Sequence, residues 1–411
     1  MAELLVPRDG MTLTRDTTLA PGVYFLPRGI EIAADGVTLD GNGATLIGAD
    51  FHGQGIRARG RSGLTLRNLR AERYFHGIVL EACPGARLIA NTVTRTREID
   101  ANDVFLDIWR GRDDAYGAGI LMVDCDDGVL EFNDLRHQQN GLLVYGGRRL
   151  RLSGNNASYN SGFGLGLFSS SDNWIENNTA DFCCRVYQIT REGALVERYH
   201  NGADAAALVM MGDCCRNHVK GNRLRGGGDG LFLGGFHKDL IRMPCNDNVF
   251  ENNDGSWSPN IAFEATFSAR NVFRGNRADA CNYGFWLGYS SETTVVDNVI
   301  RDNRIAGVAI EHGHDNVIER NTFERNRAGA SFWVNARPAF LTHFPECAES
   351  TRTTVQRNRF EDNGTAVKVW TEGEPDRPRC RDFVVRDNVL RGNAADVVLD
   401  GVRDAVVERN S

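Results

Sequence analysis

The sequence predicts an all-β solenoid, a fold in which short coils of chain stack on one another. Three observations indicate this class. An asparagine recurs at steps of 22 or 23 residues, each interval holds two short apolar runs, and no segment shows a convincing helical period. A unit of this length cannot form a core of its own, so each coil has to bury its apolar face on the next one.

The asparagine repeat runs through most of the chain, and each asparagine follows a short β-branched run. Asn68 and Asn91 are one such step apart. Asparagine suits a turn because it tolerates a left-handed backbone and hydrogen-bonds turn amides. Stacked asparagine side chains can also bond one another as a ladder, so we expect a structural role for nearly all of them. The clearest copies are Val129–Asn133, Arg151–Asn155, Trp174–Asn178, Val249–Asn253, Val272–Asn276, Thr294–Asn298, Val317–Asn321, Thr354–Asn358, Val384–Asn388 and Val406–Asn410.

The residues between the asparagines indicate strands. From Asn276 to Asn298, the segment Gly284–Gly288 precedes Thr293–Val296. Runs of this length between Gly, Asn and Asp fit β-strands and tight turns, not helices of ten or more residues.

With this repeat, residues 30–411 resemble the right-handed parallel β-helix (pectin lyase-like) proteins, which include pectate lyases, polygalacturonases and alginate epimerases. The resemblance implies a single-stranded right-handed parallel β-helix of about 13 coils. The first thirty residues lack the repeat, so we predict an N-terminal cap at 1–30 and one β-helix domain at 31–411. The chain contains neither the paired aspartates and Gly-His-Gly of polygalacturonases nor the Asp-Pro-His of alginate epimerases. The subfamily therefore stays open.

Composition and charge narrow the function classes. With 41% hydrophobic and 25% charged residues the chain reads as globular, and its net charge of −7 speaks against a nucleic-acid partner. No apolar run approaches the roughly 18 residues of a membrane span, and Met1–Gly10 has no apolar signal core. We therefore expect a cytoplasmic protein with no membrane partner. A homo-oligomer is compatible with the sequence.

The ten cysteines follow no compact disulfide framework. Cys183-Cys184 and Cys214-Cys215 form adjacent pairs, but neighbouring residues on a strand point opposite ways, which disfavours a zinc site. We expect buried or stacked free thiols, no metal and no cofactor, with Ca²⁺ considered only for a lyase.

One strand of each coil carries an unusual outward face. It begins about eight residues after each asparagine, and its inward positions are apolar. Its outward positions concentrate aromatic and carboxylate side chains, where a solvated sheet would carry Thr, Lys and Ser. Rings beside carboxylates suit sugars, so we predict a saccharide-binding groove. The alternative is that insertions cover these rings as additional core. The outward positions include Glu81, Tyr145, Phe168, Phe232, Glu264, Trp286, Gly288, Glu311, Trp333, Lys368, Trp370 and Asp400.

Five insertions interrupt the repeat, and we expect them to wall this face because loops on a rigid scaffold commonly carry function. The first contains Asp107, Trp109 and Arg110 among its polar groups. The insertions lie at Arg97–Gly117, Phe182–Asp204, Phe236–Asn246, Val334–Arg352 and Thr371–Arg379.

Two carboxylate pairs are candidates for acid/base chemistry. Glu264 and Glu311 are placed in one column two coils apart, about 9–10 Å by strand spacing, with Gly288 between them. That separation fits an inverting glycosidase. Asp204 and Asp229 precede the strand on consecutive coils, which fits a retaining pair. Apolar neighbours favour Glu264 as a general acid with a raised pKa.

We therefore predict a glycoside hydrolase or transglycosylase acting on an oligo- or polysaccharide, with His237 and Lys238 added to the catalytic candidates. A polysaccharide lyase or uronate C5-epimerase is the second hypothesis, and a non-catalytic carbohydrate-binding or structural solenoid is the third. The predicted substrate-binding residues are Tyr145, Phe168, Arg198, Tyr199, His200, Phe232, Arg242, Trp286, Tyr289, His312, Trp333, Lys368 and Trp370.

Overall fold

A computed structural model of the chain describes residues 4–99, 106–185, 189–191, 194–197, 205–335, 338–372 and 379–411. It forms two compact units, Met1–Val209 and Met210–Ser411. In each unit, coils of chain stack so that equivalent strands pair in parallel. This architecture confirms the predicted right-handed parallel β-helix.

Unit 1 is built from three parallel sheets. The strands of each are short, and consecutive members belong to consecutive coils. The first sheet contains Leu4–Leu5, Thr17–Leu19, Thr38–Asp40, Thr65–Arg67, Arg87–Ile89, Val129–Glu131, Arg151–Ser153 and Trp174–Glu176; the second Met11–Leu13, Ile30–Ile32, Gln54–Arg59, His76–Glu81, Ala118–Val123, Asn140–Tyr145, Phe163–Phe168 and Ala206–Met211; the third Gly22–Phe25, Ala44–Ile47, Arg70–Glu72 and Thr92–Thr94. The insertions add the 3₁₀ turn Arg112–Asp114 and the antiparallel pair Ile189–Arg191 and Ala194–Glu197.

Unit 2 repeats the plan and adds a small three-stranded sheet and a short helix. Its first sheet contains His218–Lys220, Val249–Glu251, Val272–Arg274, Thr294–Val296, Val317–Glu319, Thr354–Gln356, Val384–Arg386 and Val406–Glu408; the second Asp229–Gly234, Ile261–Thr266, Tyr283–Trp286, Ala306–Glu311, Ala328–Val334, Thr365–Thr371 and Ala395–Asp400; the third Arg277–Asp279, Val299–Arg301, Thr322–Glu324, Arg359–Glu361 and Val389–Arg391. The remaining elements are Ser350–Thr351, Cys380–Arg381 and Val402–Arg403, helix Pro338–His343 and the 3₁₀ turn Pro345–Cys347.

The core of each coil consists of the inward residues of these strands. In unit 2, Phe250 and Phe273 stack at 4.6 Å between adjacent coils, and both are fully buried. Phe323 and Phe360 repeat the arrangement at 4.5 Å. Burying one such side chain contributes roughly 1.5–3 kcal/mol, so identical residues stacked in register supply much of the stability between coils.

The repeat asparagines are buried and form a ladder. The Asn276 Nδ2 donates to the Asn298 Oδ1 at 3.1 Å and to the carbonyl of Phe250 at 2.9 Å, while the Asn276 N–H also donates to the Asn298 Oδ1. The Asn276 Oδ1 in turn accepts from Asn253. Unit 1 has an equivalent ladder through Asn91, Asn133, Asn155 and Asn178. The predicted structural role is confirmed.

The reason given for asparagine needs correction, because the ladder residue is not the left-handed one. The residue before it has a positive φ, as at Phe132 (56°), Asn252 (55°) and Arg320 (54°). Asn68 (52°) occupies this preceding position, so the ladder place in its coil belongs to Leu69, whose N–H donates to the Asn91 Oδ1. The ladder position requires a buried side chain that can hydrogen-bond to backbone groups of the adjacent coils. It does not require a residue that tolerates a left-handed backbone.

The left-handed positions carry a second inter-coil contact. At several of them an arginine forms a two-pronged ion pair with an aspartate one coil earlier, and both residues have positive φ. Each exposed pair contributes at most about 1 kcal/mol, but the pairs repeat along the unit. The pairs are Arg149–Asp127, Arg270–Asp247, Arg320–Asp297, Arg325–Asp302, Arg352–Asp315 and Arg409–Asp387.

Residues 4–32, most of the predicted cap, already form strands that pair with the following coil. Leu4 and Leu5 lie opposite Thr18 and Leu19, and Met11–Leu13 lies opposite Ile30–Ile32. The division into a cap at 1–30 and a single domain at 31–411 stays a prediction.

The cysteines are all free, and eight of the ten are buried. Cys83 and Cys125 stack on adjacent coils, with the Cys83 N–H 3.3 Å from the Cys125 sulfur. The expectation of buried, stacked thiols is confirmed. Among the residues described, no helix has the length and apolar character needed to cross a membrane.

The ladder gives a stability prediction for Asn276→Ala. This change removes the acceptor of the buried Asn253 amides and the donor to the Phe250 carbonyl. A buried group left unpaired costs about 1–3 kcal/mol, so we expect a loss of at least about 2 kcal/mol in the free energy of unfolding, measured in urea.

The matched control is Asn282→Ala on the same coil. The Asn282 side chain accepts from the exposed Arg304 at 2.7 Å, and losing that contact costs at most about 1 kcal/mol. Equal losses in the two variants would mean that the ladder does not stabilise the stack.

Candidate functional site

The outward face of the second sheet in unit 2 carries two adjacent columns of side chains. One column runs through Phe232, Glu264 and Trp286, which lie opposite one another on successive strands. The other runs through Glu311, Trp333 and Trp370. Because outward positions alternate along a strand, both columns project from the same face.

Three tryptophans form the most extended aromatic feature of this face, and we call Trp286, Trp333 and Trp370 the tryptophan row. Trp333 and Trp370 stack with ring centres 5.0 Å apart and planes 9° from parallel. Trp286 meets Trp333 edge-on at 5.5 Å, and Tyr283 meets Trp286 edge-on at 4.8 Å. All three indoles are partly exposed.

A cation and a small residue complete the row. The Lys368 Nζ lies 4.3 Å from the centre of the Trp370 ring. Ser331 lies between Ala309 and Lys368 in the first column. The row therefore offers ring surfaces with an ammonium at one end.

Glu264 lies directly beside this row, because it is in register with Trp286. Its neighbours Phe263 and Ala265 point into the core. Burial raises the pKa of the Glu264 carboxyl to about 8. Among the described residues, no side chain forms a hydrogen bond or an ion pair with it, and desolvation is the cause of the raised pKa.

The predicted column of Glu264 and Glu311 is wrong by two residues. Glu264 faces Trp286 and Ala309, whereas Glu311 faces Trp333. The sequence alignment took Asn260 as the equivalent of Gly284, but the register places Ala262 opposite Gly284, two residues later. By strand geometry the two backbones are about 12 Å apart, so the inverting spacing no longer follows from the backbone.

Glu311 ends its strand in a buried environment and has a defined partner. The side-chain amide of Asn335 donates a short hydrogen bond to the Glu311 Oε1. Burial raises the pKa of the Tyr283 hydroxyl, and the Glu311 charge raises it further, which places the phenol near this carboxyl. Glu311 thus belongs to a polar group at the edge of the tryptophan row.

The space over Gly288 is smaller than the sequence suggested. A Cβ added at Gly288 would lie 3.2 Å from the Trp286 Nε1 and 3.9 Å from Glu311. The indole N–H of Trp286 therefore extends over Gly288 toward Glu311, and glycine leaves room for that ring.

Part of the predicted groove is covered core. Tyr289 stacks on Phe267 at 4.5 Å and on His312 at 4.9 Å, and Phe344 of the 338–347 segment packs on the same cluster. His312 is fully buried and bonds to the Cys347 carbonyl and to Asn335. Tyr289 and His312 are therefore not exposed binding residues, because the insertion covers them.

Arg242 also has a structural contact in place of the predicted substrate contact. Its guanidinium donates to the His343 carbonyl and to Glu346, and lies 4.6 Å from the Phe344 ring centre. It joins the 236–246 insertion to the 338–347 segment. Two insertions thus wall the end of these strands by binding each other.

His237 and Lys238 lie on the 236–246 insertion. The His237 Nδ1 is 3.2 Å from an Asp239 carboxylate oxygen, and Lys238 is exposed. The catalytic role of both residues stays a prediction.

Asp229 is buried and tied to the next coil. Its Oδ1 accepts from the Ile261 N–H and from the Asn260 side chain, both at 3.0 Å. Asn140 of unit 1 makes the same bond to the Phe163 N–H from the same strand position. The bond is therefore a repeated structural feature. Its proposed partner Asp204 lies outside the described residues, as do Arg198, Tyr199 and His200.

In unit 1, Tyr145 and Phe168 form a separate aromatic pair. Their rings stack at 4.6 Å, and the Tyr145 hydroxyl donates to the Arg110 carbonyl at 3.2 Å. Burial raises the pKa of Tyr145, and Phe168 is 8% exposed. These rings support the 106–117 insertion.

Two residues of the site were missed by the sequence reasoning, Tyr283 and Asn335. Tyr283 begins its strand one residue before the glycine used for alignment, and Asn335 follows the strand of Trp333. An amide or phenol next to a strand end carries no repeat signal. Tyr283 could have been found if the strand residues had been aligned from the ladder asparagine before the strand and from the one after it.

Two family models match the sequence. One, described as periplasmic copper-binding protein (NosD), matches residues 186–369, and one, described as right handed beta helix region, matches residues 107–238. Each covers less than half of the chain. No curated protein matches the sequence.

Solved structures with similar coordinates agree on the fold. A mutant of the periplasmic alginate epimerase AlgG has 11% identity and a TM-score of 0.54 over 95% of this chain and 78% of that chain. The Azotobacter vinelandii mannuronan C-5 epimerase AlgE6 A-module has 12% identity and a TM-score of 0.42, over 96% of this chain and 92% of that chain. A GH87 alpha-1,3-glucanase catalytic domain has 10% identity and a TM-score of 0.41, over 97% of this chain and 64% of that chain. The chain is a right-handed parallel β-helix protein, and the predicted superfamily is confirmed.

The expected cytoplasmic location is wrong. The family model that matches residues 186–369 describes a periplasmic family, and AlgG is a periplasmic epimerase. The expectation rested on the lack of an apolar signal core in Met1–Gly10 and on cysteine spacings that follow no compact disulfide framework.

The family description also names copper. Within the described part of the chain, no group of three or more His, Cys, Asp or Glu side chains is arranged to hold a metal ion. The stacked thiols bond to backbone groups, as Cys83 does to the Glu81 carbonyl. We therefore derive no chemistry through a copper ion from these residues.

The raised pKa of Glu264 predicts a pH-dependent stability. Its folded pKa of about 8 lies above the ordinary value of 4.5, so the folded state holds the proton more tightly. The contribution is present below about pH 4.5 and is lost between about 4.5 and 8, by at most about 1.4 kcal/mol per pH unit. We expect Glu264→Gln to remove this decline, measured by urea unfolding from pH 5 to 8.

Glu292→Gln, which changes an exposed carboxylate of the same unit, is the control and should keep the decline. Parallel pH curves for the wild type and Glu264→Gln would show that Glu264 titrates at an ordinary pKa.

Proposed function

We propose that the protein is a carbohydrate-active enzyme that cleaves or transfers a glycosidic bond of an oligo- or polysaccharide on the outward face of unit 2. The observation that carries the proposal is the position of Glu264. A carboxyl whose pKa is raised to about 8 lies next to a row of partly exposed tryptophans.

The tryptophan row supplies binding. Exposed aromatic surface in contiguous patches marks interaction sites on soluble proteins. The C–H faces of sugar rings pack on indoles, while hydroxyl groups reach the polar atoms beside them. The row is continuous from Trp286 to Trp370, with Lys368 at its end. That layout suits a chain of sugars more than a single compact ligand.

Glu264 supplies the acid. Cleavage of a glycosidic bond requires a proton on the leaving oxygen, and a carboxyl with a pKa near the working pH is an efficient donor. Desolvation on the outward face raises the pKa of Glu264, which favours its protonated form. Its alignment with Trp286 puts the proton beside a ring that would hold a sugar.

Glu311 is the second carboxylate of the proposed site. Its hydrogen bond with Asn335 fixes the side chain, and the Trp286 indole extends toward it over Gly288. It would act on the opposite side of the bond, on water or on the anomeric carbon. This assignment rests on position.

The comparisons support the substrate class. AlgG, whose fold this chain shares, is an alginate epimerase. Fold alone does not fix an activity. An extracytoplasmic location, which the NosD family description favours, suits an enzyme of polymeric sugars.

A polysaccharide lyase or uronate epimerase is the second candidate. Lys368 favours it, because an ammonium at the end of the row could neutralise a sugar carboxylate. Tyr283 near Glu311 could take part in proton transfer. The third hypothesis is a non-catalytic binding solenoid, for which the tryptophan row alone would bind the saccharide.

We predict that Glu264→Gln lowers the rate of turnover by at least about a hundredfold, since general acid catalysis contributes 10²–10⁴. The substitution keeps the shape of the protonated carboxyl, so the fold should persist. The assay follows both reducing ends and the absorbance of unsaturated uronate products on a panel of oligosaccharides. Glu292→Gln is the control.

The products separate the hypotheses. Reducing ends alone indicate hydrolysis, an unsaturated product indicates a lyase, and neither with retained binding indicates a binding protein. Wild-type turnover by Glu264→Gln would remove Glu264 from the mechanism.

We further predict that Trp333→Ala weakens oligosaccharide binding by about tenfold or more, because this partly exposed ring is at the centre of the row, stacked on Trp370 and in edge contact with Trp286. Calorimetric titration of the full chain measures the affinity. The exposed Trp257, which pairs with Arg225 away from the row, provides the control Trp257→Ala. An equal loss in both variants would contradict a specific role for the row.

A further inference from the structure

Unit 1 contains a cleft that the proposed function does not use. It is formed by the end of the Thr92–Thr94 coil and the insertion before Ala118–Val123, and encloses a cavity of about 710 Å³. Its lining is rich in nitrogen donors, which include His76, Arg97, Arg110 and Arg112. We call these four residues the arginine cleft.

Arg110 is held in place but keeps its charge available. Its guanidinium lies 4.2 Å from the ring centre of Tyr116, which is 7% exposed, and its carbonyl accepts the Tyr145 hydroxyl. The Tyr116 hydroxyl is fixed in turn by the Asp107 N–H at 3.1 Å. Within the described residues no carboxylate pairs with Arg110. A guanidinium stacked on a ring with its N–H edge unpaired is preorganised for a planar or tetrahedral oxyanion.

Arg97 and Arg112 differ in their partners. Arg97 is exposed and has no carboxylate partner in the described part of the chain. Arg112 is bound by Asp124 at 2.5 Å and lies 4.0 Å from Asp113. The cleft therefore has two guanidiniums whose charge is not neutralised by an ion pair.

His76 adds a neutral donor. Its Nδ1 accepts the Ala118 N–H at 3.2 Å, so the proton of the neutral ring is on Nε2. Burial lowers the pKa of His76 to about 4, which keeps the ring neutral in this tautomer. His76 also lines an adjoining cavity of about 350 Å³.

The acidic side chains of the cleft do not cancel these donors. Asp113 and Asp114 line the same cavity, but the Asp113 side chain is 96% exposed and is screened by solvent. Arg97, Arg110 and His76 line this open cleft together with the exposed Asp113 and Asp114.

We propose that the arginine cleft binds an oxyanion group, either a free inorganic anion or the acidic substituent of a saccharide, with Arg97, Arg110 and the His76 Nε2 as donors. This site is in unit 1 and does not depend on the activity proposed for unit 2. Guanidinium groups recognise sulfate, phosphate and carboxylate by charge-assisted, two-pronged hydrogen bonds.

The test is calorimetric titration of the full chain with inorganic sulfate, glucuronate and glucose, in chloride buffer at constant ionic strength. We expect saturable binding of sulfate, glucuronate or both, and none of glucose. Binding of sulfate alone identifies a free anion as the ligand, and binding of glucuronate alone identifies an acidic sugar. Glucose binding as tightly as glucuronate would overturn the proposal.

Variants assign the donors. Arg110→Gln and Arg97→Gln should each weaken anion binding at least tenfold, and Arg110→Lys should recover only part, since lysine keeps the charge and loses the fork. Arg87→Gln, at an exposed arginine on the first sheet, should bind as the wild type does. Equal affinity in all variants would contradict the assignment. If Arg110→Gln does not fold, the affinity of Arg97→Gln for the anion tests the assignment of the donors. Glu264→Gln should leave anion binding unchanged, whether or not Glu264 is catalytic.

Discussion

Everything else in this molecule depends on hydrogen bonds that hold each coil in register with the next. A buried asparagine amide can bond to both the preceding coil and the following one, because it donates and accepts at the same time. In unit 2 the ladder from Asn222 to Asn410 does this at 2.9–3.1 Å between side chains. An apolar residue there would leave backbone amides unpaired in the core. The register, once fixed, brings residues tens of positions apart into one column.

The register also explains why the position of a single strand matters for function. Ala262, and not Asn260, lies opposite Gly284, so Glu264 is two positions earlier in its strand than the sequence alignment placed it. A shift by two positions keeps the side chain on the outward face, so Glu264 remains beside the rings. It changes its neighbour from Gly288 to Trp286, and with it the distance to Glu311. The register of one strand thus decides which outward position a single acidic side chain occupies on an otherwise regular surface.

The fold could be predicted from the sequence because every coil repeats the same pattern of apolar positions and ladder asparagines. A strand that is misplaced in one coil can therefore be recognised from the neighbouring coils. The candidate site could be predicted only in part. Trp286, Trp333, Trp370 and Glu264 lie on the expected face, since alternation along a strand is a local rule. Tyr289 and His312 were misplaced because the segment that covers them is an insertion, and its path follows no repeat. The Arg242–Glu346 contact that fixes it joins residues 104 positions apart.

Insertions therefore decide which part of a regular face becomes core and which part becomes a site. Where Phe344 packs on Tyr289 and Phe267, the rings lose contact with solvent and stabilise the insertion. Where no described segment covers Trp333 and Trp370, equivalent rings stay partly exposed. The same physical preference of aromatic rings for burial operates in both places. On the exposed part it is left unsatisfied by the chain itself, and a ligand with apolar ring faces would satisfy it.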